Sequence, residues 1–401
     1  MYRDSSLALR MTVRGGKSRN ADYKLRRSRY HNLLNPLNLL NPLNPHAKGV
    51  SLISIIIQGG LMISWRFIFQ KLLHLILVFI GVSIVTFCIS HVIPGDPARM
   101  LVGPHASPET LEAARESLGL DKPVLTQYAL YMEGLAHGNM GVSIRTQMPV
   151  AGELARYFPA TLELTLAAMV IAVVFGIFLG VLSAVHRNSW IDHVSRVISM
   201  VGVSIPLFWS GVVCLILFYK VIPIFPASGR LDTFLTPPPS VTGLYVVDGL
   251  IAGNMDVVIS AIHHLLLPAL CLAYAQLAII ARQVRSGMVD VLEQDYIRTA
   301  RACGIPNRRI IYRYALKNAL IPTVTITGLT MGELLGGAVI TETIFGWPGM
   351  GKYVMDSIAY LDFPAIMGFT LVVSVGYVVI NMVVDMIYNI LNPQISGGDE
   401  K

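Results

Sequence analysis

Six stretches of the chain stay apolar for about 20 residues or more, the length a helix needs to cross a bilayer. They run over 68–92, 163–185, 197–222, 260–281, 320–343 and 365–390. The pattern predicts an all-α integral membrane protein with six transmembrane helices. In the long segment 93–162, Ser107 has the character of an N-cap and Pro108 suits a first helical position. Glu109 favours the helix dipole and Gly119 stops the element, so a surface helix is expected there. Pro237-Pro238-Pro239 cannot join a ladder and reads as an extended spacer.

Charge then orients the spans. Segment 186–196 carries His186, Arg187, His193 and Arg196 against Asp192. Segment 282–318 carries Arg282, Arg285, Arg298, Arg301, Arg308, Arg309, Arg313 and Lys317 against Asp290, Glu293 and Asp295. Segments 223–259 and 344–364 have one basic residue each, Arg230 and Lys352. Lysine and arginine collect on the cytoplasmic side. Segments 186–196 and 282–318 are therefore predicted to be cytoplasmic. Alternation places 93–162 outside and both termini in the cytoplasm.

Composition agrees. Charged residues make up 14% of the chain and hydrophobic ones 54%, against about 25% charged in soluble domains. Much of the surface must face lipid. The net charge of +7 sits in the amino-terminal tail and two loops, which points to topology rather than to nucleic acid. Cys88, Cys214, Cys271 and Cys303 show neither disulfide nor metal spacing and read as small core residues.

Residues 1–61 form a separate object. Basic residues dominate up to Arg29, and Leu33–Asn38 is nearly repeated as Leu39–Asn44. Asn-Pro pairs break helices, and the apolar run 50–57 is too short to span. A signal peptide is not supported, because no clear cleavage site follows. The segment is expected to be a disordered extension, with Met62 as a more natural start. Residues 62–395 then form the membrane domain and 396–401 a short tail.

Enzyme signatures are missing from the sequence. Gly15-Gly16-Lys17-Ser18 has the end of a phosphate-binding loop, but Met11 stands where that pattern needs glycine. Several residues inside spans stand out. Gly176 and Gly180, and Gly328, Gly332 and Gly336, form small-residue stripes that let helices approach closely. These serve either packing within the chain or a subunit interface and moving gate. Glu333 lies mid-span beside the second stripe, where an unpaired charge is costly. It either lines a pathway or is a neutral acid bonded to a neighbouring helix. Asn381 and Asp385 share one face of the sixth span and read as an interhelical lock more readily than as a substrate site.

The strongest signal is Asp295-Tyr296-Ile297-Arg298-Thr299-Ala300-Arg301-Ala302-Cys303-Gly304-Ile305-Pro306. Gly304 suits a helix C′ position, and Pro306 suits the start of the next helix. Thr299, Ala300 and Ala302 make a slim region rimmed by arginines. Contact with anionic headgroups explains the arginines but not the small residues or the turn.

This hairpin resembles the EAA coupling loop of ABC-importer permeases, and more closely that of the peptide-type branch: dipeptide, oligopeptide, glutathione and nickel permeases. Arg298-Thr299-Ala300 and Gly304 occupy the motif, with arginine in place of the leading glutamate, as is usual in that branch. Leu316–Pro322, Ile93–Pro97, Leu118–Pro123, Pro159–Leu164, Phe345–Gly351, Asp385–Tyr388 and Asn392-Pro393 are also similar. The resemblance spans about 62–395. Asn139 departs from the usual aspartate, and the loop around Pro237–Pro239 is longer.

The resemblance implies a type I ABC-importer permease fold in the bacterial inner membrane, with 93–162 as an outer loop and 282–318 as the coupling loop. Arg298, Thr299, Ala300, Arg301, Gly304 and Pro306 would contact the ATPase. Partners would be a second homologous permease, two ATP-binding cassette ATPases, an extracytoplasmic solute-binding protein and membrane lipid, with no nucleic acid. Catalytic residues, metal and cofactor are not expected in this subunit; ATP and magnesium would belong to the ATPases. A self-sufficient secondary transporter or channel using Glu333 is the rival reading, for which the docking hairpin is superfluous and internal repeats are wanting. Peptide, glutathione and chelated nickel remain alternative cargoes.

Overall fold

The computed structural model describes residues 65–92, 97–103, 105–117 and 119–391. The 1–61 extension, Ile93–Asp96, Asn392-Pro393 and the tail lie outside the described residues. Phe69–Asn392 forms one unit, within which all contacts below fall.

The first apolar run is α1 (Trp65–Val92). Short helices α2 (Pro97–Val102), α3 (Pro108–Ser117) and α4 (Val124–Ala136) follow. In α3 the expected cap forms, with Ser107 Oγ accepting from Thr110 N at 3.2 Å. Gly119 takes a φ of +67° just beyond it. The second span begins earlier than its apolar run. Helix α5 covers Val150–Val185 and runs through Pro159, so residues 150–162 belong to a helix rather than to the outer loop.

The third span is not one straight helix over 197–222. It is α6 (Trp190–Ser204) and α7 (Leu207–Leu215, continued by a π-helical turn, Ile216–Val221), bent by 103°. Pro206 lacks an N–H and forces Ile205 out of the helical region, to φ −82° and ψ 125°. The hydroxyl of Tyr274 donates to the Ile205 carbonyl that the break releases.

After the short α8 (Tyr245–Ile251), α9 (Met255–Leu292) contains the fourth apolar run and continues deep into the basic segment. The hairpin helix α10 (Asp295–Ala302) leads to α11 (Asn307–Arg309), a π-helical turn (Ile310–Ala315) and α12 (Leu316–Ile344). Segment 282–318 is thus mostly helix. A short helix α13 (Met350–Ala359) precedes α14 (Phe363–Leu391). Among the described residues five helices are long and apolar enough to span, or six if the bent pair is counted as one span. Strands are absent there; Val142 and Pro149 form an isolated bridge.

Helix α9 is the centre. Its apolar window is 67% buried, against 17% for α1, whose apolar side chains instead face outward. Close approach comes from glycine. A Cβ on Gly180 would stand 2.7 Å from the Ala281 carbonyl of α9, and one on Gly176 2.8 Å from Ile280. The first stripe therefore packs α5 on α9 within this chain. The cysteines differ from expectation. Cys271 is buried and Cys214 intermediate, but Cys88 and Cys303 are exposed, because one lies on outward-facing α1 and the other caps the hairpin.

Candidate coupling hairpin and helix latches

Helix α10 ends in a Schellman motif. Ile305 N donates to Ala300 O at 3.1 Å and Gly304 N to Arg301 O at 3.0 Å, with Gly304 at φ +74°. Pro306 sits one residue before α11 rather than inside it, and its carbonyl accepts from Arg309 N at 2.9 Å. Ile297 and Ile310 are fully buried in the α5–α9–α12 core, and Ile305 packs against it. Ala300 joins that core. It therefore does not contribute to an outward slim surface with Thr299 and Ala302: the helical turn points it inward. Arg298, Thr299, Arg301, Ala302, Cys303, Gly304 and Pro306 are exposed. The hairpin is a projection anchored by buried isoleucines, with a basic exposed rim.

A latch holds the base of this projection. Asp192 is fully buried. Arg285 reaches it in bidentate fashion at 2.7 and 2.8 Å, Ser183 Oγ donates at 2.5 Å and Asn188 N at 3.0 Å. Arg187 pairs with Glu293 at 2.5 Å. Sequence reading counted these residues only as loop charges. The signal available was a lone acid in a basic loop.

On α12 the second stripe divides. A Cβ on Gly328 would collide with Val384, and one on Gly332 with the Tyr377 ring of α14; one on Gly336 would meet nothing within 4 Å. Gly328 and Gly332 thus face α14. Gly336 and Glu333 are exposed in this chain, beside Leu329 and Ile340. Glu333 has no hydrogen bond or ion pair among the described residues. Asp385 pairs with Lys71 of α1 at 2.5 Å, which joins the first and last spans. Asn381 is partly buried and has no such partner among the described residues.

At the end of the bundle away from the hairpin, two buried glutamates that sequence reading did not single out join α5 to the loops 223–259 and 344–364. Glu342 of α12 is completely buried. It accepts from Thr161 Oγ1 at 2.6 Å, Gly351 N at 2.7 Å and Lys352 N at 3.0 Å. It thereby caps the N-terminus of α13, where a carboxylate is favoured. Trp347 Nε1 donates to Ala160 O at 2.8 Å and Met350 N to Thr161 Oγ1 at 2.8 Å. The Phe345–Gly351 and Pro159–Leu164 motifs, far apart in sequence, are one structure. Glu163 pairs with Arg230 at 2.5 Å and accepts from Val246 N at 2.9 Å. The Arg230 guanidinium lies 3.7 Å from the Tyr245 ring centre. Nearby, burial opposes ionisation of Asp248, yet hydrogen bonds from Thr242, Gly243 and Val241 hold its carboxyl below the usual carboxylate value. The signal for Glu342 and Glu163 was an acid at the edge of an apolar run. Among the described residues there is no group of three or more His, Cys, Asp or Glu placed to hold a metal.

A multi-pass helical bundle with a basic hairpin fastened to its core is the architecture of a transporter's membrane component. Two family matches agree with that class. Residues 176–397 match the binding-protein-dependent transport system inner membrane component, and 64–165 match the N-terminal part of such a component. The chain belongs to this family, as its resemblance to peptide-type ABC-importer permeases implied, and is a multi-pass inner membrane protein rather than an enzyme. It is 52% identical over 337 residues to the probable D,D-dipeptide transport system permease of Escherichia coli (strain K12), covering 84% of this chain and 99% of that protein. A dipeptide transport system permease of Alkalihalophilus pseudofirmus is 47% identical, over 81% of this chain and 98% of the relative. A glutathione transport system permease of Escherichia coli O6:H1 is 37% identical, over 82% and 98%.

Proposed function

We propose that this chain is one of two permease subunits that form the translocation pathway of an ATP-driven importer, with a dipeptide-sized peptide as cargo. A solute-binding protein delivers cargo from outside, and two ATPases carrying ATP and magnesium dock on the cytoplasmic face. Both termini of this subunit lie on that face. Glutathione ranks below peptide as cargo because the relative named for it is less similar. The rival secondary transporter is disfavoured by the family. The anchored hairpin carries the coupling role: Ile297, Ala300 and Ile310 tie it to the core that α5, α9 and α12 share. Displacement of the hairpin by closing ATPases is thereby passed to the spans. Arg298, Thr299, Arg301, Gly304 and Pro306 form the contact, while Ala300 anchors it.

The test is Gly304→Val, compared with Gly304→Asn. Space around Gly304 is open, so the cost comes from its positive φ alone, about 1–2 kcal/mol for an L-residue and least for asparagine. ATP-driven dipeptide uptake by the complete transporter is expected to fall severely for valine and little for asparagine, with membrane insertion unchanged in both. Normal uptake by the valine variant would refute the coupling role.

A further inference from the structure

Between α5, α6 and α9 lies an open cleft of about 410 Å³, on the same end of the bundle as the hairpin. Arg196 on α6 and Arg282 and Arg285 on α9 line it. Arg285 is consumed by the Asp192 carboxylate, which also stands 3.7 Å from Arg196 Nε. Arg282 is exposed and has neither ion pair nor hydrogen bond among the described residues. Three arginines against one carboxylate leave the cleft at a net charge of +2. Ser195 and Ser286 line it as well, with side chains not hydrogen-bonded among the described residues. The polar groups therefore suit a doubly coordinated oxyanion.

The walls are apolar. Leu179 closes one side, while Met200 and Val203 of α6 line the other and remain exposed. Arg196, Met200 and Val203 follow helical spacing and share one face of α6. Next to that face around the helix lie Val197 and Val201, also exposed. A cationic pocket thus opens directly onto a greasy surface, at the depth where the apolar run of α9 gives way to charge. A soluble anion gains nothing from the greasy side. A phospholipid satisfies both, with its phosphate on the arginines and its acyl chains along α6.

We propose that this cleft is a binding site for the phosphodiester headgroup of an anionic phospholipid, held by Arg196 and Arg282. Arg285 positions the site by holding Asp192. The site is independent of the cargo and of the coupling role.

Native mass spectrometry of the delipidated full-length chain, titrated with phosphatidylglycerol or phosphatidylcholine, tests this. The R196Q/R282Q double variant leaves the Arg285–Asp192 latch intact. It is expected to lose phosphatidylglycerol affinity by roughly tenfold or more, from about 1 kcal/mol for each basic residue removed. R196K/R282K should restore most of it, and phosphatidylcholine binding should be weak and insensitive to either change. Arg308→Gln, on the same end but outside the cleft, should change nothing. Equal phosphatidylglycerol binding by wild type and the double variant would overturn the site. So would equal binding of the two lipids, or an equal loss in Arg308→Gln, which would mean diffuse attraction. Displacement of phosphatidylglycerol by excess inorganic phosphate would make it a pocket for a free anion and overturn the lipid assignment.

Discussion

Glu342 shows how much one side chain can hold in a helical membrane protein. It lies at the C-terminal end of α12 and accepts from a hydroxyl of α5 and from two backbone amides of α13. Gly349 and Gly351 allow the approach; a Cβ on either would collide with the carboxylate or the α12 backbone. Glu342→Leu leaves these donors without an acceptor in a dry site, and each buried donor so orphaned costs about 1–3 kcal/mol. The variant is expected to unfold at a clearly lower temperature in detergent. Glu342→Gln keeps one carbonyl oxygen and is expected to fall in between. An unchanged Tm for the leucine variant would show that the outer loops are held by something else. The residue was present in the sequence as an ordinary acid. Only its surroundings, brought together from residues 161, 351 and 352, reveal its work.

At the scale of elements, the structure is a set of helices crossing at glycines and latched by charges at their ends. Glycine spacing made the first of these legible in advance, but not which neighbour each glycine meets. Gly328 and Gly332 turn toward α14 while Gly336 does not, because helical periodicity rotates Gly336 away from that contact. The latches were not legible, because an ion pair between Asp192 and Arg285 depends on the angle at which α6 meets α9. Asp192→Asn leaves Arg285 facing a neutral group. Breaking a buried pair costs about 3–5 kcal/mol, less here because Arg285 is 24% exposed. Thermal unfolding should show the single variant destabilised and the Asp192→Asn/Arg285→Met double variant partly recovered. Strict additivity of the two changes would mean that the pair is not coupled. The bend at Pro206 belongs to this scale as well: proline in an apolar run signals a break, but the 103° angle is set by packing.

At the scale of the whole molecule, Glu333 stands out as an exposed acid of an apolar helix with no hydrogen bond or ion pair among the described residues. It is exposed on α12, and the face that carries Leu329, Gly336 and Ile340 is not covered by the described residues. In the proposed two-permease importer that face would meet the pathway or the second permease. Glu333→Gln is nearly isosteric and should leave assembly intact while altering the uptake rate. Unchanged uptake would remove Glu333 from the pathway. Glu333→Leu, with reduced recovery of the complex, would then mark a structural contact between subunits. The other whole-molecule expectation concerns residues 1–61. The match to the Escherichia coli D,D-dipeptide permease covers 99% of that protein but only 84% of this chain, and the family match begins at residue 64. A protein starting at Met62 should insert and transport normally; loss of insertion would make the extension a targeting or folding element.

The sequence by itself determined the spans, the basic end of the bundle, the cap of α3 and the turn of the hairpin. Each rests on local physics. Apolar length sets insertion, charge sets sidedness, and glycine or proline at one position sets a backbone angle. Tertiary structure alone decided the inward turn of Ala300, the exposure of Glu333, the division of the glycine stripe, and the joining of Pro159–Leu164 to Phe345–Gly351 through Glu342. Those depend on which helices become neighbours and at what rotation. That is a property of packing summed over the whole bundle, with no local residue pattern to announce it.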